Sequence, residues 1–494
     1  MLAADEGTRA MPLKLIAGPA NSGRAGAILE GFRAKLNRDP VLVVPTLDDC
    51  DRFELELCAG LGGVVGGSVG TFAHLFEQVA TAVGAAVPAL LSPGQRVRVA
   101  REAAQRAELV LLARSRERPG FAPAAEALID ELKAVGLDPD DFAERAEQVG
   151  EYEVELARIF SSYEQVRDEL GRGDAHTVAR GAVAGLRANG EAWRGRPVFL
   201  YGFDDLTGEQ LELVAELAAV AGVTVALTYE DRDAVAARAR LREQLRDLGA
   251  EEAPPREADP ANTEEPLLFE IERRFMQPPS EPLQAGPALT MLEAAGELAE
   301  AEAIGESVAR LLAGGVAPDE IAIVLRQPAA QARLYGRVLG ELGIPVAVEA
   351  RLPMAQTSTG RGLASLLRAA FEPGGAEDLL AYLRTPGLEA PSRVDRLEAD
   401  VRRGRLRGAE EAAEAWLERD GGTDLRELAE LRGAGSGPKL LEACAYQARR
   451  VAERAMWDRQ GELPGPERAL ELRAGGAAER ALGELADLGL EASP

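Results

Sequence analysis

The chain has 494 residues with 82 acidic against 56 basic side chains, a formal charge of −26, 46% hydrophobic and 28% charged content. That length exceeds one ordinary core, and no window approaches the apolar run that crosses a bilayer, so single-domain and membrane-spanning readings are excluded. The acidic balance excludes a surface generally attractive to phosphate, so any nucleic-acid contact must be local.

Met1 to Ala10 has neither the basic start nor the apolar stretch of a secretion signal, which places the expected location in the cytoplasm and makes Met11 a candidate start. Cys50, Cys58 and Cys444 are far from CxxC spacing and the only histidines are His74 and His176, so no zinc site or disulfide framework is supported. The lysines number four, Lys14, Lys35, Lys133 and Lys439; nearly all positive charge is arginine.

In chain order, Leu13 to Ala17 reads as a buried strand, followed by a glycine-containing loop and the helical pattern of Ala27 to Leu36. Val41 to Val44 is a second strand ending at Pro45-Thr46, and a third short β-rich run leads to Val69-Gly70-Thr71-Phe72 before another helix. Alternating strands and helices imply an α/β fold with a parallel sheet. From about Ser92 to Leu186 only helical patterns occur, a helical insertion, and strand character then returns in Val198 to Tyr201 and Val223 to Thr228. Residues 233–287, rich in Glu, Arg and Pro, predict a solvated connection with one short helix near Leu267 to Phe275. A second α/β unit is expected beyond it, with strands at Leu289 to Leu292, Ile321 to Leu325 and Pro345 to Val348, and from Gly375 onward the signals are helical.

The loop Gly18-Pro19-Ala20-Asn21-Ser22-Gly23-Arg24-Ala25 follows the first strand and opens the first helix, where a Walker A phosphate loop belongs. Such a loop cradles phosphate on backbone N–H groups, with a Lys on the β and γ phosphates and a Ser or Thr hydroxyl on magnesium. Here Arg24 stands for the lysine and Ala25 for the hydroxyl. Arginine keeps the charge but presents a wide planar fork in place of a compact ammonium. The acidic pair that would hold magnesium and activate water is expected at the end of the fourth strand, yet VFLYGFDDL puts Tyr201 and Gly202 there and leaves Asp204 and Asp205 just beyond. Three readings stand: a turn that binds nothing, weak nucleotide binding without turnover, and ATPase activity, with three independent changes against the last.

Four stretches, GPANSGRA at 18–25, VGTFAHLF at 69–76, VFLYGFDDLTGEQLELVAEL at 198–217 and IAIVLRQPAAQARLYGRVLGELGIPVAV at 321–348, together resemble the AddB family. That family is a branch of the superfamily 1 (UvrD-like) helicase fold whose members end in a PD-(D/E)XK nuclease domain. DLLAYLRTPG at 378–387 resembles the second domain's insertion, so the resemblance runs over nearly the whole chain. It implies a first RecA-like domain at 11–92 plus 187–232, a helical insertion at 93–186, a linker at 233–287, an incomplete second RecA-like domain at 288–370 and its helical insertion at 371–494, after a tail at 1–10.

The resemblance further implies a subunit that grips single-stranded or forked DNA while an AddA-like helicase-nuclease partner drives the motor in double-strand-break repair. Its strand contacts carry over to Pro45 and Thr46 and to Thr71 and Phe72, where a hydroxyl meets phosphate and a ring stacks on a base; the competing assignments are a helix cap for Thr71 and a core position for Phe72. Arg326 corresponds to an arginine that in active relatives faces nucleotide across the cleft. Together with Gly18, Asn21, Ser22, Gly23, Arg24, Ala25, Asp204 and Asp205 it makes up a degenerate nucleotide site, with ATP and magnesium binding weak or lost. The nuclease motif and the cysteines of an iron–sulfur cluster belong to the carboxyl half in this family, so the sequence is expected to be a fragment or truncated product of a protein about twice as long. Two further alternatives are a working ATP-dependent helicase and a protein-protein adaptor that kept the fold. For the arginines at 402, 403, 405 and 407 two readings stand, a phosphate contact and a solvated helix face, and their acidic neighbours favour the second.

Overall fold

The structure is a computed structural model that describes residues 13–59, 63–263, 265–278, 281–284, 286–348, 352–371, 374–418, 423–455 and 465–490. It divides into two compact units, Met1–Leu289 and Thr290–Pro494. No helix among the described residues is long and apolar enough to cross a membrane.

The strands of the first unit are β1 (Leu13–Gly18), β2 (Val41–Val43), β3 (Ser68–Gly70), β4 (Ala89–Leu90), β5 (Arg172–Gly173), β6 (Val198–Tyr201), β7 (Val223–Thr228) and β8 (Glu251–Glu252). Six of them form one sheet in the order β3-β2-β6-β7-β1-β8, parallel throughout, and β4 and β5 form a separate parallel pair. The α/β fold expected from the sequence is thus present, with β1 and β7 in register from Leu13 opposite Val223 to Gly18 opposite Thr228.

Parallel strands are covered on both faces, so both parities along each strand must be apolar. Leu13, Leu15, Val41, Val43, Val198, Leu200, Val223, Val225 and Leu227 enter one core, and Leu42, Val44, Phe199 and Ala226 enter the other. Helices α1 (Arg24–Arg33) and α2 (Leu47–Cys58) close the second of these faces, through Ile28, Leu29 and Phe32 and through Cys50, Phe53 and Leu57. Gly31 is what lets α1 sit so close: a Cβ there would stand 2.9 Å from the Phe199 ring. Gly31→Val is therefore expected to cost about 1–3 kcal/mol by overpacking, read as a lower urea midpoint at unchanged m-value.

The opposite face carries α3 (Phe72–Val83), and the chain then leaves through β4 into four helices, α4 (Pro93–Arg106), α5 (Phe121–Ala134), α6 (Pro139–Glu147) and α7 (Glu151–Glu169), before returning through β5. The next helix, α8 (Ala175–Ala188), was expected inside the insertion but buries Val178, Ala182, Val183 and Leu186 in the sheet's own core. Its apolar spacing is the same in either setting, so periodicity did not reveal which surface it covers. The Lys133 ammonium on α5 pairs with Asp174 at the start of α8 and with Glu164 on α7, tying insertion to sheet.

After α9 (Gly208–Val220) and β7, the segment expected as a solvated linker is built into the unit. Helix α10 (Ala239–Asp247) buries Leu241 and Leu245, β8 pairs with β1, and α11 (Pro266–Arg274) is the short helix the sequence indicated. A charged strand of two glutamates suits a sheet edge, where it discourages pairing with other chains. Its composition therefore hid it.

In the second unit α12 (Glu297–Ala313) and α13 (Pro328–Glu341) pack through Ala301, Tyr335 and Val338. The three strands expected at 289–292, 321–325 and 345–348 are corrected: no strand forms among this unit's described residues. Ile321, Ile323 and Leu325 do turn inward while Val324 is 92% exposed, a strand's alternation, but a ladder needs a neighbouring backbone as well as a period. Helices α14 (Ser358–Ala370), α15 (Ala376–Leu383), α16 (Pro391–Gly404), α17 (Ala409–Leu417), α18 (Arg426–Gly433), α19 (Pro438–Ala455) and α20 (Gly465–Ala486) follow, the all-helical region expected. Their core holds Trp416 and Tyr382, whose hydroxyl donates to Glu427 at 2.6 Å. Arg402 and Arg403 pair with Glu398 and Asp400 on an exposed face of α16.

Candidate functional site

All strands of the main sheet run the same way, so the loops that follow them gather at one edge, where parallel α/β folds bind ligands. The loop after β1 is the tightest. Asn21 and Gly23 take left-handed backbone, φ 57° and 68°, and Gly23 caps α1 without a side-chain bond. Ser22 is buried and its hydroxyl donates to Pro19 O at 2.8 Å.

Arg24 does not reach outward as a phosphate-binding lysine would. Its Nε donates to Pro19 O at 3.3 Å and to Ser22 Oγ at 3.1 Å, and only 8% of the residue is exposed. Burial holds its guanidinium below the usual arginine range; the Tyr201 phenol opposes this, and Arg238 and Arg256 add to it. Ala25 supplies no hydroxyl. This donor set does not fit a magnesium-bound triphosphate.

The sequence reading missed what holds the loop in shape. Residues 253–263 run across it: Ala253 N donates to Leu15 O at 2.8 Å, Arg256 Nη1 to Ser22 O and Gly23 O at 3.2 Å each, Asp259 N to Asn21 O at 3.0 Å, and Asn21 Nδ2 to Thr263 Oγ1 at 3.1 Å. Three successive loop carbonyls are thereby tied to one strap, and a Cβ on Gly18 would meet Ser22 Oγ at 2.7 Å and Arg256 Cβ at 3.1 Å. No motif announces such a strap; a run of Pro, Glu and Arg reads as linker. Arg256→Ala is expected to raise amide exchange across Ser22 to Ala25, measured by hydrogen–deuterium exchange, while exchange in β7 stays as it was.

β7 lies between β1 and β6, so the loop after β6 opens about two strand spacings, roughly 10 Å, from the phosphate loop. Tyr201, at the expected place of an acidic residue, packs edge-on against Phe53 at 5.2 Å. Gly202 has φ 89°, and a Cβ there would stand 3.1 Å from Pro45 Cδ. Asp204 is exposed and bonded to Arg238 Nε at 2.5 Å, and Asp205 is exposed.

At the next two strand ends, Pro45 and Thr46 are exposed, but the Thr46 hydroxyl is engaged in a capping box, donating to Asp49 Oδ2 at 2.6 Å and accepting Asp49 N–H at 3.1 Å. Thr71 caps α3 with its backbone only, so no cap bond holds its hydroxyl. Phe72 needs correction as a stacking platform: it is 5% exposed, in the core, edge-on to Phe203 at 5.1 Å. A ring so placed offers no face to a base. Arg326 is exposed in the second unit, between the run 321–325 and α13. His74 lies 2.6 Å from Gln78, and His176 pairs with Glu209 at 2.8 Å and Asp130 at 3.3 Å. Among the described residues no three His, Cys, Asp or Glu side chains converge as a metal site.

A strand, glycine-rich loop and helix in a parallel six-stranded sheet, with a helical insertion between its third and later strands, define the chain as an α/β protein. Residues 15–244 match the family described as ADDB, N-terminal. Similar proteins are the B-type subunits of the ATP-dependent helicase/deoxyribonucleases of Pelotomaculum thermopropionicum (26% identical, 90% of this chain and 42% of that one), Geobacillus kaustophilus (26%; 73% and 34%) and Bacillus subtilis (22%; 70% and 32%). The match to the AddB amino-terminal family lies within the first unit, and the chain spans 42% or less of the length of these relatives.

Proposed function

We propose that this chain is the DNA-binding, non-hydrolysing helicase-like part of a helicase-nuclease subunit acting in double-strand-break repair and recombination. Its substrate is single-stranded or forked DNA and its partner an AddA-like motor subunit, in the cytoplasm. The naming of the relatives, as B-type subunits of ATP-dependent helicase/deoxyribonucleases, supports the class of activity. The observation that carries the non-hydrolysing role is the inward turn of Arg24 onto Pro19 O and Ser22 Oγ, next to an alanine where magnesium needs a hydroxyl.

The proposed organisation is a RecA-like first domain with its insertion, followed by a second, incomplete one. Incubation of the purified chain with ATP, magnesium and forked DNA tests the proposal. Phosphate release should not exceed the protein-free rate, while binding to forked DNA should fall steeply with salt. DNA-stimulated phosphate release would reinstate the active-helicase reading. Two observations favour an adaptor instead: the Thr46 hydroxyl is engaged within the chain and the Phe72 ring is buried. Absence of binding to both single-stranded and forked DNA at low salt would select that reading.

A further inference from the structure

Residues 94–120 hold seven arginines against three glutamates and no aspartate, a basic stretch inside a chain of charge −26. It covers nearly all of α4, whose Arg96, Arg98 and Arg106 are paired with carboxylates, and the turns that lead to α5. Beneath those turns lies Glu155 of α7, a carboxylate only 3% exposed. Its Oε1 accepts N–H groups from Val110 at 2.7 Å and Leu111 at 2.8 Å, and its Oε2 accepts from Leu112 at 2.9 Å. Burial opposes ionisation there, but the three N–H groups outweigh it and hold the carboxyl below its usual range. A further pin comes from Arg158 Nη1, which donates to Glu108 O at 3.0 Å.

Three successive amides drawn onto one carboxylate curl the backbone inward. Ala107 and Leu112 are buried at the two sides of the curl, and the side chains between them are turned out: Val110 is 81% exposed and Leu111 54%. The next turns, closed by Arg116 N to Leu112 O at 3.0 Å and Arg118 N to Ser115 O at 2.9 Å, leave Arg114 and Arg118 exposed beside that pair. A loop that served only as a connection would place polar residues at its tip and would not need a buried carboxylate beneath it.

We infer that this Glu155-anchored loop is a nucleic-acid contact, in which Val110 and Leu111 meet the faces of unpaired bases and Arg114 and Arg118 meet phosphates. The inference rests on the DNA-binding reading proposed above. A polyanion complements the exposed guanidinium groups of Arg114 and Arg118, and only unpaired or frayed nucleotides expose apolar faces next to phosphate. Two apolar side chains beside arginines make too small an apolar centre for a protein partner, whose interface core is larger and depleted of charge.

Fluorescence anisotropy with forked DNA and with blunt duplex, across a salt series, tests the contact. The double variant R114E/R118E is expected to weaken fork binding and to flatten the slope of log affinity against log salt by about 1.4, the release of ions from roughly two single-strand phosphates. V110S/L111S, a surface change, should weaken fork binding about tenfold with the slope and the duplex affinity unchanged. E155Q should weaken fork binding to the same degree while raising amide exchange at 110–112. Wild-type affinity and slope in both double variants, with the unaltered chain binding forks, would overturn the loop contact alone. Failure of the unaltered chain to bind any DNA would remove the DNA-binding reading and this inference with it. Loosened amides in E155Q without loss of fork binding would overturn the anchoring role.

Discussion

Asp174→Ala is expected to destabilise the first unit by about 3–5 kcal/mol, the range for stripping one partner from a buried ion pair. Asp174 is 2% exposed and performs two tasks. It caps α8, accepting Thr177 N–H at 2.8 Å, and it faces the Lys133 ammonium, itself 3% exposed. Alanine removes the cap, worth about 1 kcal/mol, and leaves Lys133 in a dry site with Glu164 as its remaining ion-pair partner among the described residues. Arg167, 3.8 Å from Asp174, loses part of its field as well. Asp174→Asn, which keeps the cap but not the charge, should fall between the native chain and the alanine variant. The readout is the exchange rate of the α8 amides, which sit where insertion and sheet meet.

The same pair fixes a pH dependence. Burial works to raise the Asp174 carboxyl, but the Lys133 ammonium and the Thr177 N–H and hydroxyl outweigh it and hold the group well below the usual aspartate range. A depressed carboxyl stabilises the fold fully above its unfolded value, near 3.9, and that contribution disappears as pH falls through the folded value. His176, on the same helix, behaves oppositely: burial lowers its affinity for a proton, yet Glu209 foremost, then Asp174 and Asp130, raise it above the ordinary value. Its contribution is complete below the ordinary histidine range and declines as pH rises through the raised value. Protection of α8 should therefore be broad across mildly acidic pH, fall off in strong acid and decline as pH rises through the raised His176 value, with the acid loss smaller in Asp174→Asn.

The parts legible in the sequence were those whose physics is local. Four strands of the main sheet, β1, β2, β6 and β7, are runs largely apolar on both parities, which a doubly covered parallel sheet requires, and the short β3 at the edge follows a valine-rich stretch. The loop at 18–25 was readable because glycine and helix start recur at fixed offsets. Four things were not legible, for different reasons. β8 is two glutamates held at an edge by β1, so its strand character comes from its neighbour and not from its side chains. The runs 321–325 and 345–348 have strand-like composition, but pairing is decided by a second backbone that no local pattern encodes. Phe72, two residues past a strand end, suits stacking and core equally in sequence, and only the position of Phe203 settles it. Arg256 and Thr263 reach the phosphate loop from more than 230 residues away, beyond the reach of any motif.

The second large effect concerns turnover. Restoring the two phosphate-loop side chains, Arg24→Lys with Ala25→Thr, is expected to leave ATP hydrolysis at the protein-free rate even with forked DNA present. Lysine in place of arginine frees Pro19 O and Ser22 Oγ from their inward bond and sends a compact ammonium toward the loop mouth. That change assists binding but supplies no group to orient or deprotonate water, a role worth about 10²–10⁴-fold in rate. The missing carboxylates cannot simply be added back. At Gly202 the backbone sits at φ 89° with Pro45 3.1 Å from a Cβ, so an acidic residue there is strained before it can act. At Tyr201 a carboxylate would replace the ring that meets Phe53 edge-on, burying charge against an apolar helix face. Asp204 is spoken for by Arg238. Turnover by the double variant, measured as phosphate release and abolished by Asp204→Asn, would mean that Asp204 leaves Arg238 to serve as the carboxylate, and the block would then lie at Arg24 and Ala25 alone. Without it, the obstruction is distributed over both strand ends, at Arg24 and Ala25 after the first and at the left-handed backbone of Gly202 after the other.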